Sequence, residues 1–152
     1  DLAEELADTL RPEAIRFELK AHDKEGVIRE MLKLIHDVYR LSDRQGAYDA
    51  VMEREHSMST GMEHGVALPH GKTSAVTKIV AAIGIHQVGI KFDSLDGLPC
   101  QIFVMVLSPP GVSGPHVRFL GAISHVLNAP EKRQAILQAK NPQEIITILS
   151  HH

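Results

Sequence analysis

Apolar residues recur at helical spacing from Asp23 to about Tyr39, with Val27, Met31, Leu34 and Ile35 on one side, which predicts an amphipathic helix. A second helix, ending near Glu55, is predicted from Ser42-Asp43-Arg44-Gln45. This reads as a capping box: Ser42 accepts a backbone bond and Gln45 reaches back. Ala47, Val51 and Arg54 then share the stripe that faces the core. Residues 14–19 (AIRFEL) have the length and content of a strand. Residues 78–85 (KIVAAIGI) and 101–107 (QIFVMVL) are nearly unbroken apolar runs. Alternation would suit a half-exposed sheet, so unbroken runs predict strands covered on both faces. Between them Ile90-Lys91-Phe92 reads as a short strand, and Asp93 to Gly97 carries turn chemistry. Ser108-Pro109-Pro110-Gly111 ends the second long strand. Helices open at Gly114-Pro115, running to about Leu127, and at Ala129-Pro130, since proline is tolerated in a first turn. Asn141 caps the last helix, with Glu144 near its positive end. Helices before and after a covered sheet predict an α/β (α+β) fold, a three-layer α/β/α sandwich with a small mixed sheet.

A chain of 152 residues is long enough for one core, and no repeat or linker divides it, so residues 1–152 are expected to form a single domain. The net charge of −3 comes with no basic block, which argues against a nucleic-acid partner. The lone cysteine, Cys100, excludes an internal disulfide and fits the reducing cytoplasm. No apolar stretch reaches the roughly 18 residues of a membrane span, and no signal peptide is visible, so no direct membrane insertion is expected. The chain begins at Asp1 without methionine, as a piece of a longer protein would. His151 and His152 read equally well as native residues or the start of a purification tag, and both stay outside the site argument.

The candidate chemistry centres on GVALPHGKT, residues Gly65 to Thr73. Val66-Ala67-Leu68 reads as a short strand that Pro69 stops. His70 then stands at the strand's carboxyl end, either as a turn residue or as a reactive group offered at the top of a sheet. Gly71 removes a side chain where another molecule could approach the backbone. Upstream, an arginine on the core side of a helix end needs an anionic partner. For Arg54 that partner is a carboxylate such as Glu63, or a phosphate held beside Ser59-Thr60-Gly61, whose hydroxyls and amides suit the same anion. Downstream, His116 lies in the first turn of its helix, where free donors and the dipole favour an anion. It shares a stripe with Leu120, Ile123 and Leu127. His125, nine steps of about 100° further, falls on the opposite face. His64, His70 and His116 could supply three metal ligands. No carboxylate or cysteine adds a familiar zinc spacing, and the site is read without metal. A serine-nucleophile elbow and a P-loop are both absent.

Taken together, Arg54-Glu55, Ser59-Thr60-Gly61, the run from Gly65 through Ala67-Leu68-Pro69-His70-Gly71, and His116 resemble the type-2 enzyme IIA domain of the bacterial sugar phosphotransferase system. This is the fructose/mannitol group, which also includes the nitrogen-regulatory IIA proteins. The likeness extends through Ile90-Lys91-Phe92, Asp96-Gly97 and Leu107 to Pro110, from about Leu10 to Ser150. It implies that His70 takes a phosphoryl group from the small histidine phosphocarrier protein. The group then passes to a cysteine of a IIB domain, or serves as a signal to a regulated protein. His116, Arg54 and Thr60 match positions around the phosphoryl group. No cofactor is implied. The residues by themselves agree, because phosphoryl transfer chiefly needs in-line positioning and donors around the equatorial oxygens. One departure is Glu63, followed by His64, where the family usually has a small residue. A carboxylate there is expected to repel the phosphoryl group or occupy Arg54, which favours a regulatory role. The rival from another class is a non-catalytic interaction domain that keeps the fold and is never phosphorylated.

Overall fold

The two unbroken apolar runs lie side by side as the centre of one sheet. In the computed structural model, which describes residues 2–151, the chain runs α1 (Leu2–Thr9), a 3-10 turn (Pro12–Ala14), β1 (Ile15–Arg16), α2 (Lys24–Tyr39), α3 (Arg44–Ser57), β2 (Val66–Ala67), β3 (His70–Lys72), β4 (Val80–Ile90), β5 (Cys100–Ser108), α4 (Ser113–Leu127), α5 (Pro130–Gln138) and α6 (Pro142–Ser150). Asp1 and His152 lie outside the described residues. The sheet order is β1-β4-β5-β2, with β3 also on β5. β4 and β5 are antiparallel, and the three short strands run parallel to their neighbours. The mixed sheet is therefore as expected.

Residues Ile102 to Leu107 are all buried, so both faces of β5 are covered, which is why its sequence does not alternate. Helices α2 and α3 pack against each other and against β4 and β3. Helices α1, α4, α5 and α6 pack on one another and share a single core with the sheet through Leu6, Phe119, Ile123, Ile145 and Leu149. The result is the predicted three-layer sandwich.

Local differences have local causes. The strand expected over 14–19 is cut to Ile15–Arg16; Leu19 N still donates to Ile85 O of β4, and the N–H groups of Lys20 and Ala21 then turn to Glu30 of α2. Asp43, rather than Ser42, caps α3: its carboxylate accepts from Gly46 N at 2.9 Å, while Gln45 donates to Asp49. Aspartate caps as well as serine does, and the helix starts one residue later. The Ile90–Phe92 segment is no separate strand, since Ile90 ends β4. The cap at Asn141 is as expected, and Asp23 caps α2 by accepting from Gly26 N.

Candidate functional site

The segment that leads from α3 to β2 is a tight hairpin in its second half. His64 and Gly65 take left-handed φ values of 63° and 81°, and with Glu63 they form the three-residue loop of the hairpin. The turn lays Thr60–Met62 antiparallel to Val66–Leu68, with Met62 N donating to Val66 O and Leu68 N donating to Thr60 O at 3.1 Å. Pro69 then breaks the strand. Its carbonyl accepts from Val106 N, and His70 pairs with Val106 of β5 as the first residue of β3. His70 is thus a strand residue, anchored on the centre of the sheet. Gly71 serves an internal contact: a Cβ there would meet Val51 N at 3.1 Å and the Ala50 carbonyl carbon at 3.2 Å. The backbone that approaches it belongs to α3 of the same chain.

Nδ1 of His70 lies 2.7 Å from the Leu68 carbonyl oxygen. A carbonyl only accepts, so Nδ1 carries the proton and Nε2 keeps a free lone pair. Burial pushes the His70 pKa down. The Leu68 carbonyl opposes this, the Arg54 charge adds to it and Glu55 opposes it, with a net value below the ordinary one. The ring is neutral at pH 7, and its Nε2 is a competent nucleophile.

His116, on α4, is 3% exposed. Its ring centroid lies 5.4 Å from that of His70 at a tilt of 54°, and its Nδ1 is hydrogen-bonded to the Ser108 hydroxyl. Burial, then the charges of His70 and Lys72, lower its pKa to about 4, so it too is neutral. His125 is exposed on the other face of α4, as the helix phase predicts.

Arg54 is half-buried in the last turn of α3. Its Nη1 donates to Met58 O at 2.6 Å, and among the described residues no carboxylate pairs with it. The expected pairing with Glu63 is not formed. Glu63 is exposed and lines a depression with Asn128 that adjoins the His70 cleft, sharing Met62 and Ser124 with it. After Ala47 and Val51 the buried residue of α3 is Glu55, one step past Arg54. Glu55 accepts from Lys24 Nζ at 2.8 Å, Thr60 N at 2.9 Å and the Thr60 hydroxyl. Sequence reasoning missed the roles of Glu55 and Lys24. A carboxylate five residues before a threonine was the one available signal. The Ser59 hydroxyl donates to Phe92 O at 2.7 Å and accepts from Gly61 N. Both predicted loop hydroxyls therefore donate within the protein and shape the loop.

His70, Arg54, Ser59 and Thr60 line one cleft of about 460 Å³. His116 stands against the His70 ring rather than on the cleft wall. Met58, Leu95 and Val117, 67%, 71% and 65% exposed, supply apolar surface on the same cleft. His64 is exposed, with its amide held by Asp96 at 2.8 Å. It does not join the other two histidines, and among the described residues no three potential metal ligands are grouped.

The family model for the phosphoenolpyruvate-dependent sugar phosphotransferase system, EIIA 2, matches residues 8–152. The chain belongs to this EIIA 2 family. Among its relatives, the fructose-specific EIIA component of Haloferax volcanii is 36% identical over 93% of this chain and 93% of that protein. The fructose-specific EIIABC component of Bacillus subtilis is 32% identical over 97% of this chain, but the chain spans only 23% of that protein's length. The crystal structure of the nitrogen regulatory protein IIA-Ntr from Neisseria meningitidis superposes with a TM-score of 0.89, at 23% identity, over 95% of this chain and 99% of that one. The EIIA 2 fold thus accounts for the sheet and for the layers around it.

Proposed function

We propose that residues 1–152 act as one phosphoryl-transfer unit, with His70 as the acceptor. The observation that carries this is the Nδ1 contact to Leu68 O, which leaves Nε2 bare on a neutral ring. The lone pair of Nε2 attacks the phosphorus of a phosphohistidine on the histidine phosphocarrier protein. The N–P bond to the donor breaks, and its electron pair stays with the donor imidazole. Nδ1 of His70 keeps its proton against the Leu68 carbonyl, so the phosphorylated ring is cationic. That charge keeps the new N–P bond labile for transfer to a IIB cysteine or for a signalling role. Arg54, free of carboxylates, and His116 are the groups of this chain placed to meet the phosphoryl oxygens. Ser59 and Thr60 shape the loop beside them. Charge stabilisation of this kind needs only donors already in position.

Glu63 neither pairs with Arg54 nor lines the cleft, which weakens the reason to favour a regulatory role over sugar-linked transfer. The relationship to fructose-specific components supports the sugar-linked reading. The proposed compartment is the cytoplasm. No helix among the described residues is long and apolar enough to cross a membrane. The exposed Met58, Leu95 and Val117 would equally serve a domain that only docks a partner, and one experiment separates the two. Incubation with phosphoenolpyruvate, enzyme I and the phosphocarrier, followed by intact mass, is expected to show one phosphoryl group. It should be lost in acid, stable in mild base and absent from His70→Ala. An unmodified chain would support the docking reading, and label persisting in His70→Ala would refute the acceptor.

A further inference from the structure

We propose that Ser108 is a positioning residue for this site: its hydroxyl donates to Nδ1 of His116 and holds that ring in the tautomer that presents Nε2–H to the phosphoryl group. The proposal rests on His70 being the acceptor.

Ser108 is the last residue of β5 and is fully buried. It is paired in register with Lys72, and its carbonyl accepts from Thr73 N at 2.8 Å, so its backbone is fixed on the same pair of strands that carries His70. Among the described residues its hydroxyl makes one hydrogen bond, to Nδ1 of His116. A serine hydroxyl has one proton to place. If Nδ1–H of His116 were the donor, that proton would be buried without an acceptor, an unfavourable arrangement. The Nε2 lone pair of His116 would also be the atom left to meet an anion. With Ser108 as donor both problems vanish.

Nε2 of His116 has no protein partner among the described hydrogen bonds. It is not sealed off either, since the one fully buried unpaired side-chain nitrogen or oxygen described is Nδ1 of His36. The two rings, 5.4 Å apart, therefore hold opposite tautomers. His70 is protonated on Nδ1 by way of Leu68 O, and His116 is bare on Nδ1 by way of Ser108. One offers a lone pair to phosphorus and the other offers a hydrogen to its oxygens. A backbone carbonyl can impose only the first of these states. The second needs a donor aimed at Nδ1, which is what the hydroxyl at position 108 provides.

The test begins with the unphosphorylated wild-type protein. Long-range ¹H–¹⁵N spectra of its imidazoles at pH 7 should show His116 protonated on Nε2, with a hydrogen-bonded bare Nδ1, and His70 protonated on Nδ1. In Ser108→Ala the His116 Nδ1 resonance should move toward that of a free unprotonated nitrogen while the His70 pattern stays. Transfer from the phosphocarrier should slow about tenfold in Ser108→Ala, the scale of one lost hydrogen bond. Ser108→Thr, which keeps the hydroxyl, should recover most of that loss. In a His116→Ala background Ser108→Ala should have no further effect. His116 protonated on Nδ1 in the wild type, or an undiminished effect of Ser108→Ala in the His116→Ala background, would overturn the proposal. If Ser108→Ala does not fold, the wild-type spectrum decides alone. Tautomers as stated in a protein that takes no phosphoryl group would defeat the acceptor reading and leave the Ser108–His116 assignment standing.

Discussion

Replacing Lys24 by methionine removes the cation that faces the buried carboxylate of Glu55. The Glu55 side chain is 1% exposed and lies 2.8 Å from Lys24 Nζ. Breaking a fully buried pair by deleting one partner costs about 3–5 kcal/mol. Two features lower that figure here. Lys24 is one-fifth exposed, and Glu55 keeps both donors from Thr60. The expected loss is therefore about 2–3 kcal/mol. With a urea slope of about 2 kcal/mol/M, the unfolding midpoint should fall by about 1–1.5 M. The double variant Lys24→Met, Glu55→Gln should recover most of this, because removing both charges avoids the stranded carboxylate. The site should feel the single variant too, since Thr60 O accepts from Leu68 N and Leu68 O orients His70. The stability also has an alkaline signature. Burial lowers the Lys24 pKa, but the bonds to Glu55 and Asp93 outweigh it and the net shift is upward. A raised lysine pKa contributes below its unfolded value of about 10.4 and is lost as pH rises through the folded value. Urea midpoints of the four proteins in this cycle check the reasoning. A single variant within about 0.5 kcal/mol of wild type, the range of an ordinary surface change, would refute it, as would purely additive effects.

His116→Ala should slow phosphoryl transfer by roughly ten- to a thousandfold, the scale of one positioned donor, while His125→Ala changes the rate little. Both are read by quench-flow with labelled phosphocarrier. Glu63→Gly should leave the phosphorylation equilibrium at low salt within about twofold of wild type, because an exposed charge outside the cleft is screened; a tenfold rise would put its carboxylate back at the site. Burial of His116 gives a pH signature of its own. Its pKa falls from an unfolded value of about 6.5 to about 4. The unfolded chain binds the proton first, so stability is full above pH 6.5 and declines toward pH 4 with a limiting slope of about 1.4 kcal/mol per unit. Urea titrations at several pH values should show this slope shrink in His116→Phe.

Signals confined to a few residues were legible in the sequence. Asp23, Pro115, Pro130 and Asn141 mark helix starts by local chemistry, and α2, α4, α5 and α6 begin where they indicate. The phase of α4 separated His116 from His125 for the same reason. What was missed depends on long-range partners. Lys24 and Glu55 are 31 residues apart, and nothing near either one announces the pair. His70 became a strand residue through β5, which follows it by about 30 positions, and the need for Gly71 comes from α3 packing behind it. Arg54 and Glu55 are adjacent, so a shift of one residue in helix phase exchanges the one that is buried. Ser42 and Asp43 are both good caps, and the choice between them fell to tertiary contacts, with Ser42 N taken by Ala75 O.

β5 carries the register of both rings: Val106 pairs with His70, and Ser108 holds His116. His70 is thus held by strand pairing, and His116 by its buried place on α4 and its bond to Ser108. On the proposed function, a partner arriving with a phosphoryl group would meet two rings already held by the fold. Little ordering entropy is lost on contact, and no closure has to be reversed before departure. This suits a relay in which the same histidine must meet one protein, release it, and present itself to the next. On the same reading, the exposed apolar side chains of Met58, Leu95 and Val117 on the cleft, and not the histidines, would be the place where exchange speed is tuned.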